Sequence, residues 1–288
     1  MGHVFGNHLK TAALMAGLIA LFVFVGYAVA GGPGMIFAFI LGGAMNIGAW
    51  FFSDTLAIKS MQAREIGPDG SGPVVQGARV SNRELYAMVD EMRQRAGLPM
   101  PRVYICPHDA PNAFATGRSP KKSAVAATQG LLRLMEPEEI RGVMAHELAH
   151  VKNRDTLISC IAATIAGVLA MMAQWFFFIG GRRDGNPLVA LAVIIVAAVG
   201  AALIKAAISR SREFIADAEG AKIAGSSQGL ASALARLDSY SKRIPLVQPN
   251  PAQNNMFIVE PFAGKTLTSL FASHPPTERR IDALRRMR

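Results

Sequence analysis

Charge is what this chain has least of. Only 17% of its 288 residues are Asp, Glu, Lys or Arg, against about 25% in average globular chains. The deficit argues against an ordinary soluble protein. It is also uneven, because it collects in four apolar runs at 11–30, 35–52, 157–179 and 188–208. Cysteine is scarce too: Cys106 in a polar region and Cys160 inside an apolar run. That excludes a disulfide framework and suits a reducing compartment. Cys106 and His108 lack a second metal-binding pair, so they read as structural. Lys and Arg number 30 against 20 Asp and Glu. No aromatic-interleaved basic stripe, RNP pattern or zinc-finger spacing accompanies that excess, which excludes nucleic acid as the expected partner.

What is present instead is membrane patterning. Each run has roughly 18–23 residues, and a helix needs about 20 to cross a bilayer core. Gly31, Gly32, Pro33 and Gly34 make a turn between the first two runs, and 180–187 makes a polar hairpin between the last two. Lys205 lies near the end of the fourth run, where it can snorkel. Ala28-Val29-Ala30 resembles a signal-cleavage site, but the stretch is longer than a signal core and a second run follows within a few residues. An uncleaved span is expected. The two connecting hairpins hold no Lys or Arg (31–34) and two (Arg182 and Arg183), whereas 54–156 holds fourteen and 209–288 holds twelve. By the positive-inside rule, both termini and both large polar segments face the cytoplasm. The expected organisation is an N-terminal transmembrane hairpin (1–53), a cytoplasmic catalytic region (54–156), a second transmembrane hairpin (157–208) and a cytoplasmic helical region (209–288).

Segment 54–156 reads as α+β. Leu85, Met88, Val89 and Met92 recur at helical spacing within 84–96, and Gly97-Leu98-Pro99 ends that helix. Val103-Tyr104-Ile105 is strand-like. "NAFATG" (112–117) and "SAVAATQGLL" (123–132) predict two more strands joined by 119–122. "MEPEEIRGVMAHELAH" predicts a helix with acids in its first turn.

That helix carries the chemistry. His146 and His150 are four residues apart, so both rings leave one face and can reach one metal at about 2.0–2.1 Å. Glu147, beside the first of them, can take a proton from water at the metal: the HExxH arrangement of zinc peptidases. A catalytic zinc site uses three protein ligands, and residue 156 is Thr, so no third histidine follows in the HExxHxxGxxH pattern. In "SREFIADAEGA" (211–221), Glu213 and Asp217 share a helix face. The hairpin of the third and fourth runs returns the chain to the side it left. His150 lies about six residues before it and Glu213 about five after, so both stand roughly 8–9 Å above the bilayer core. Glu213 is then a candidate third ligand, with Asp217 accepting a ligand ring's free N–H. Spacing alone leaves a second possibility: both acids are solvated and paired with Arg210 or Arg212.

HExxH, the distant "EFIAD" after two spans, "NAFATG", the "AREI" stretch after the second span and the "HPPTERRI" tail together resemble the HtpX-type bacterial heat-shock membrane zinc metalloproteases, a group related to the CAAX prenyl proteases. The likeness extends over nearly the whole chain. It implies a mainly helical α+β gluzincin with four transmembrane helices and a small β-sheet by the active-site helix. It also implies one Zn2+ per chain and a place in the bacterial inner membrane. The activity it implies is cleavage of misfolded membrane proteins, with self-cleavage a risk. By motif it makes His146, His150 and Glu213 the zinc ligands and Glu147 the general base. It sets Asn112 beside the bound substrate and His274 near the oxyanion, and it matches Asp155 to the position five after the second ligand. His3 and His8 are expected in solvent, and the tail from Arg279 to Arg288 as a basic surface helix. The alternative is a non-catalytic membrane adaptor or chaperone on a protease fold, which loss of Glu147 or a ligand would have signalled. A small transporter and a soluble gluzincin with buried apolar helices are further rivals.

Overall fold

The computed structural model describes residues 2–156, 210–243 and 275–287. The third and fourth apolar runs, Cys160 and His274 lie outside the described residues.

The chain opens with α1 (Gly2–Ser60), helical throughout but not straight. Gly31 has φ +58°, and Pro33 follows it. A Cβ built on Gly26 would stand 2.5 Å from Ala38 Cβ, and one on Gly42 would stand 3.2 Å from Phe22 Cβ. Residues twelve apart on a straight helix are about 18 Å apart, so the chain doubles back at Gly31 and its two arms pack through small residues. This agrees with the turn expected at 31–34. Among the described residues, one helical stretch is long and apolar enough to cross a membrane, Gly31–Phe52, with a shorter apolar stretch at Met15–Phe24. Large apolar side chains on these arms, including Phe37, Phe39 and Ile40, are exposed.

A mixed four-stranded sheet follows, in the order β1-β2-β4-β3, from β1 (Arg64–Glu65), β2 (Arg102–Cys106), β3 (Ala113–Ser119) and β4 (Lys122–Thr128). β2 and β4 run parallel, and among the described residues the β3–β4 hairpin leaves β3 as an edge strand. Gly117, φ +123°, forms the irregularity in that hairpin, where a Cβ would run into the Lys122 carbonyl. Between β1 and β2 lies α2 (Asn82–Ala96). A reciprocal cap between Ser81 and Glu84 starts it, and left-handed Gly97 ends it. The predicted second half of the last strand is helical instead. Thr128 caps α3 (Gln129–Leu134), its hydroxyl accepting from the Leu131 N–H at 3.2 Å.

The core gathers around α4 (Pro137–Asn153), with Ile140, Val143, Met144 and Leu148 fully buried. Pro137 begins this helix, and Glu139 reaches back to the Glu136 N–H at 2.9 Å. Against it pack α5 (Arg210–Ala224) and α6 (Gln228–Arg243), and α7 (Thr277–Arg285) closes over both. Two glycines permit the close approach. Gly142 lets α4 touch the backbone of Leu230. A Cβ on Gly220 would meet His146 Cα at 2.9 Å.

Candidate active site

Gly220 is the positional key to the site. With its Cα against the backbone of His146, α5 lies along α4, and residues three and seven positions back share the same face: Asp217 and Glu213. His146 Nδ1 faces Asp217 Oδ1 at 3.0 Å. His150 Nδ1 faces Asp155 Oδ2, also at 3.0 Å. Asp155 gets there because α4 ends on left-handed Arg154, φ 57°, and the Asp155 N–H then folds back to the His150 carbonyl at 3.2 Å.

A carboxylate beside each Nδ1 favours a proton there, so that in the neutral ring each Nε2 keeps the lone pair a metal needs. The two Nε2 atoms stand 3.0 Å apart. Glu213 adds Oε1 at 3.6 Å from His150 Nε2 and Oε2 at 3.7 Å from His146 Nε2. Donor atoms of all three residues fall within 4.8 Å of one another. A tetrahedral zinc with bonds of about 2.0–2.1 Å separates its ligand atoms by about 3.3 Å, so the cluster has the right size. Its charge fits as well. Four buried carboxylates (Glu147, Asp155, Glu213 and Asp217) surround it with two buried guanidiniums, Arg212 and Arg280. With neutral rings the balance is two negative charges, which one divalent cation neutralises.

Titration follows from the same field. Burial alone would keep His150 neutral, but Asp155, Glu213 and Glu147 together outweigh it and push the ring up to about 10. Glu147 is raised by burial, against the pull of both histidines. Burial would raise Asp217, yet Arg280 and His146 together hold that carboxyl below its ordinary range.

Arg280 is the residue that sequence reasoning missed. The expected surface helix buries it to 1% exposure. Its Nε and Nη2 donate to Asp217 at 2.8 and 2.7 Å, and Nη1 stands 3.4 Å from Glu213 Oε2. The guanidinium that meets Asp217 is therefore that of Arg280. The available signal was Leu284, one turn on from Arg280 and equally buried, which marks an inward face on a basic helix.

Glu147, the two histidines, Glu213, Asp155 and Asp217 are thus brought together. Asn112 is also buried, at the head of β3, where its N–H donates to Thr128 Oγ1 at 2.9 Å. The Asn112 carbonyl accepts from the Thr128 N–H and so faces β4. The Ala115 N–H reaches the Glu147 carboxylate, and the Gly117 carbonyl accepts from Thr156 Oγ1 at 3.0 Å. By strand alternation, the backbone groups of 113, 115 and 117 line the free edge beside the site.

Residues 79–288 match peptidase family M48. A protein named Protease HtpX homolog from Desulforapulum autotrophicum is 48% identical over 289 residues, covering 97% of this chain and 90% of the relative. One of the same name from Burkholderia ambifaria is 46% identical over 287 residues, covering 98% and 97%. The crystal structure of S. mikatae Ste24p superposes with a TM-score of 0.53 at 16% identity, over 99% of this chain and 66% of that one. That likeness is one of fold. The inward-facing His, His and Glu of α4 and α5 accord with what these relatives indicate: the chain is a metalloprotease and belongs to peptidase family M48.

Proposed function

We propose that this chain is a zinc-dependent endopeptidase of the bacterial cytoplasmic membrane, held by four helices with its site facing the cytoplasm. Its substrates on this reading are cytoplasmic regions of misfolded or damaged membrane proteins. The observation that carries the proposal is the convergence of His146, His150 and Glu213 beside a buried Glu147. These two stretches of chain are separated in sequence by the third and fourth apolar runs.

His146, His150 and Glu213 would hold the metal. A zinc ion held there would supply Lewis acidity, polarising a peptide carbonyl and lowering the pKa of water toward 7. Glu147 would take a proton from the attacking water and later deliver it to the departing amine. Its raised pKa suits both transfers. Asp217 and Asp155 hold the ligand rings, and Arg280 holds Asp217. Beside the groups held by Glu147 and Thr156, the outer edge of β3 offers main-chain groups to an extended peptide, which aligns the scissile bond without regard to side-chain identity. Enzyme and substrate confined to one membrane also meet at a raised effective concentration.

The test is Glu147→Gln beside the parent protein. The variant is expected to retain one zinc per chain and to lose cleavage of a membrane-protein substrate by on the order of 1,000-fold. Normal cleavage by the variant refutes the role of Glu147, and parent protein that binds no metal refutes the ligand set.

A further inference from the structure

Away from the metal site, one end of the sheet meets the end of the apolar helix. The Gly31–Phe52 stretch closes on three aromatics, Trp50, Phe51 and Phe52, the last two exposed. Arg118, near the end of strand β3, lays its guanidinium 4.7 Å from the Phe51 ring centroid and 5.5 Å from that of Trp50. Its Nη1 donates to the Phe51 carbonyl at 3.4 Å. Lys121 and Lys122 follow at the β3–β4 turn, both exposed. Arg102 opens β2 in register with Ala124 of β4, which sets it at the same end of the sheet, and it pairs with Asp54 at 3.0 Å. This rim carries four cations, Arg102, Arg118, Lys121 and Lys122, with Asp54 as the acid that faces them.

We propose that this rim binds the headgroups of anionic phospholipids in the leaflet where the Gly31–Phe52 stretch ends. The inference rests on the reading of that stretch as a membrane span. Aromatic side chains at the end of a span sit at headgroup depth. Cations at that depth meet the negative surface potential of an anionic leaflet, and long basic stems can lie along apolar surface while their heads stay wet. Arg118 is held at that depth by its guanidinium, which lies over the rings of the terminal aromatics. A consequence for the site follows from β3. Ala115, whose N–H reaches Glu147, lies three residues from Arg118, or about 10 Å along a strand. Lipid held at the rim therefore fixes the substrate edge close above the headgroups.

The experiment uses the full-length chain carrying Trp175→Phe, so that Trp50 is its one indole. It is reconstituted in nanodiscs of phosphatidylcholine with a fixed fraction of phosphatidylglycerol, with bromine on the acyl chains of one lipid or the other. Brominated phosphatidylglycerol is expected to quench Trp50 at least about twofold more than brominated phosphatidylcholine at equal mole fraction, and the preference is expected to fall as salt rises. Arg118→Gln with Lys121→Gln and Lys122→Gln is expected to bring the two lipids to parity. The milder pair Lys121→Gln with Lys122→Gln, at exposed positions, is expected to reduce the preference and covers the case in which the triple variant does not fold. Equal quenching in the parent overturns the headgroup site. An unchanged preference in both variants overturns these residues as its basis. Quenching by neither lipid overturns the span itself, a separate failure.

Discussion

The Pro137–Asn153 helix and the Gly31–Phe52 stretch are both rich in apolar residues and turn them in opposite directions. In α4, Ile140, Met144 and Leu148 go inward together with the polar Glu139, His146 and Glu147. In α1, Phe37 is 68% and Ile40 63% exposed, while Ala38 and Gly42 are buried against the preceding arm. Small residues inside and large ones outside is the pattern of helices packed in lipid, where apolar side chains gain nothing by hiding from their solvent. α4 obeys the rule for water, and it buries charge only where countercharge awaits. The two regions therefore pack by two different rules, and the candidate metal site belongs to the region packed as in water.

The largest effect is expected where α4's rule is broken. Arg280→Met leaves Asp217 buried without its guanidinium, at a cost of about 3–5 kcal/mol of unfolding free energy in denaturant titrations. Adding Asp217→Leu should restore most of that stability by removing the stranded charge. It should not restore metal affinity, which should stay about 10–100-fold weaker because His146 has lost the carboxylate that fixes its ring. A single variant as stable as the parent shows that the Arg280–Asp217 pair is not what holds the helices together.

α1 makes the opposite prediction. Ile40→Asp places a charge on an exposed face, which in a soluble helix changes stability by no more than about 0.5 kcal/mol. Near the middle of a span the same change costs about 2.5–3.5 kcal/mol of insertion free energy. The readout is the fraction of chain that resists carbonate extraction from membranes. It should fall sharply for Ile40→Asp and stay unchanged for Val74→Asp, at an exposed position outside the helix. Equal behaviour of the two variants removes the contrast between the regions.

This contrast also explains what was legible in the sequence. The HExxH pair announces itself because helical periodicity puts i and i+4 on one face, whereas counting the chain out through one hairpin and back made Glu213 only a candidate, which the family resemblance then singled out. Both are local or one-dimensional arguments. Arg280 required knowing which helix closes over α5, and a basic amphipathic segment carries no periodic mark of that choice. Strand β1 has two residues, too few for alternation to register. The change from β4 to α3 at Thr128 was hidden because the apolar run continues across it, and only the capping hydroxyl marks the boundary. Asp155 was half legible: its spacing was visible, but the left-handed turn at Arg154 that aims it at His150 was not.

The smallest effect tests the seam between the two regions. Thr156 stands where α4 ends and the third apolar run begins, and its hydroxyl ties the Gly117 carbonyl on the free edge of β3. Thr156→Val keeps the shape and removes the donor, which should cost about 1 kcal/mol of stability. Because the strand edge is released at one end while Glu147 and the metal-binding side chains are untouched, KM for an extended substrate should rise several-fold with kcat within about twofold. Thr156→Ser keeps the hydroxyl and should return KM toward the parent value. A fall in kcat with unchanged KM would instead mean that the bond positions Glu147 through Ala115, and that the strand edge contributes little to holding the peptide.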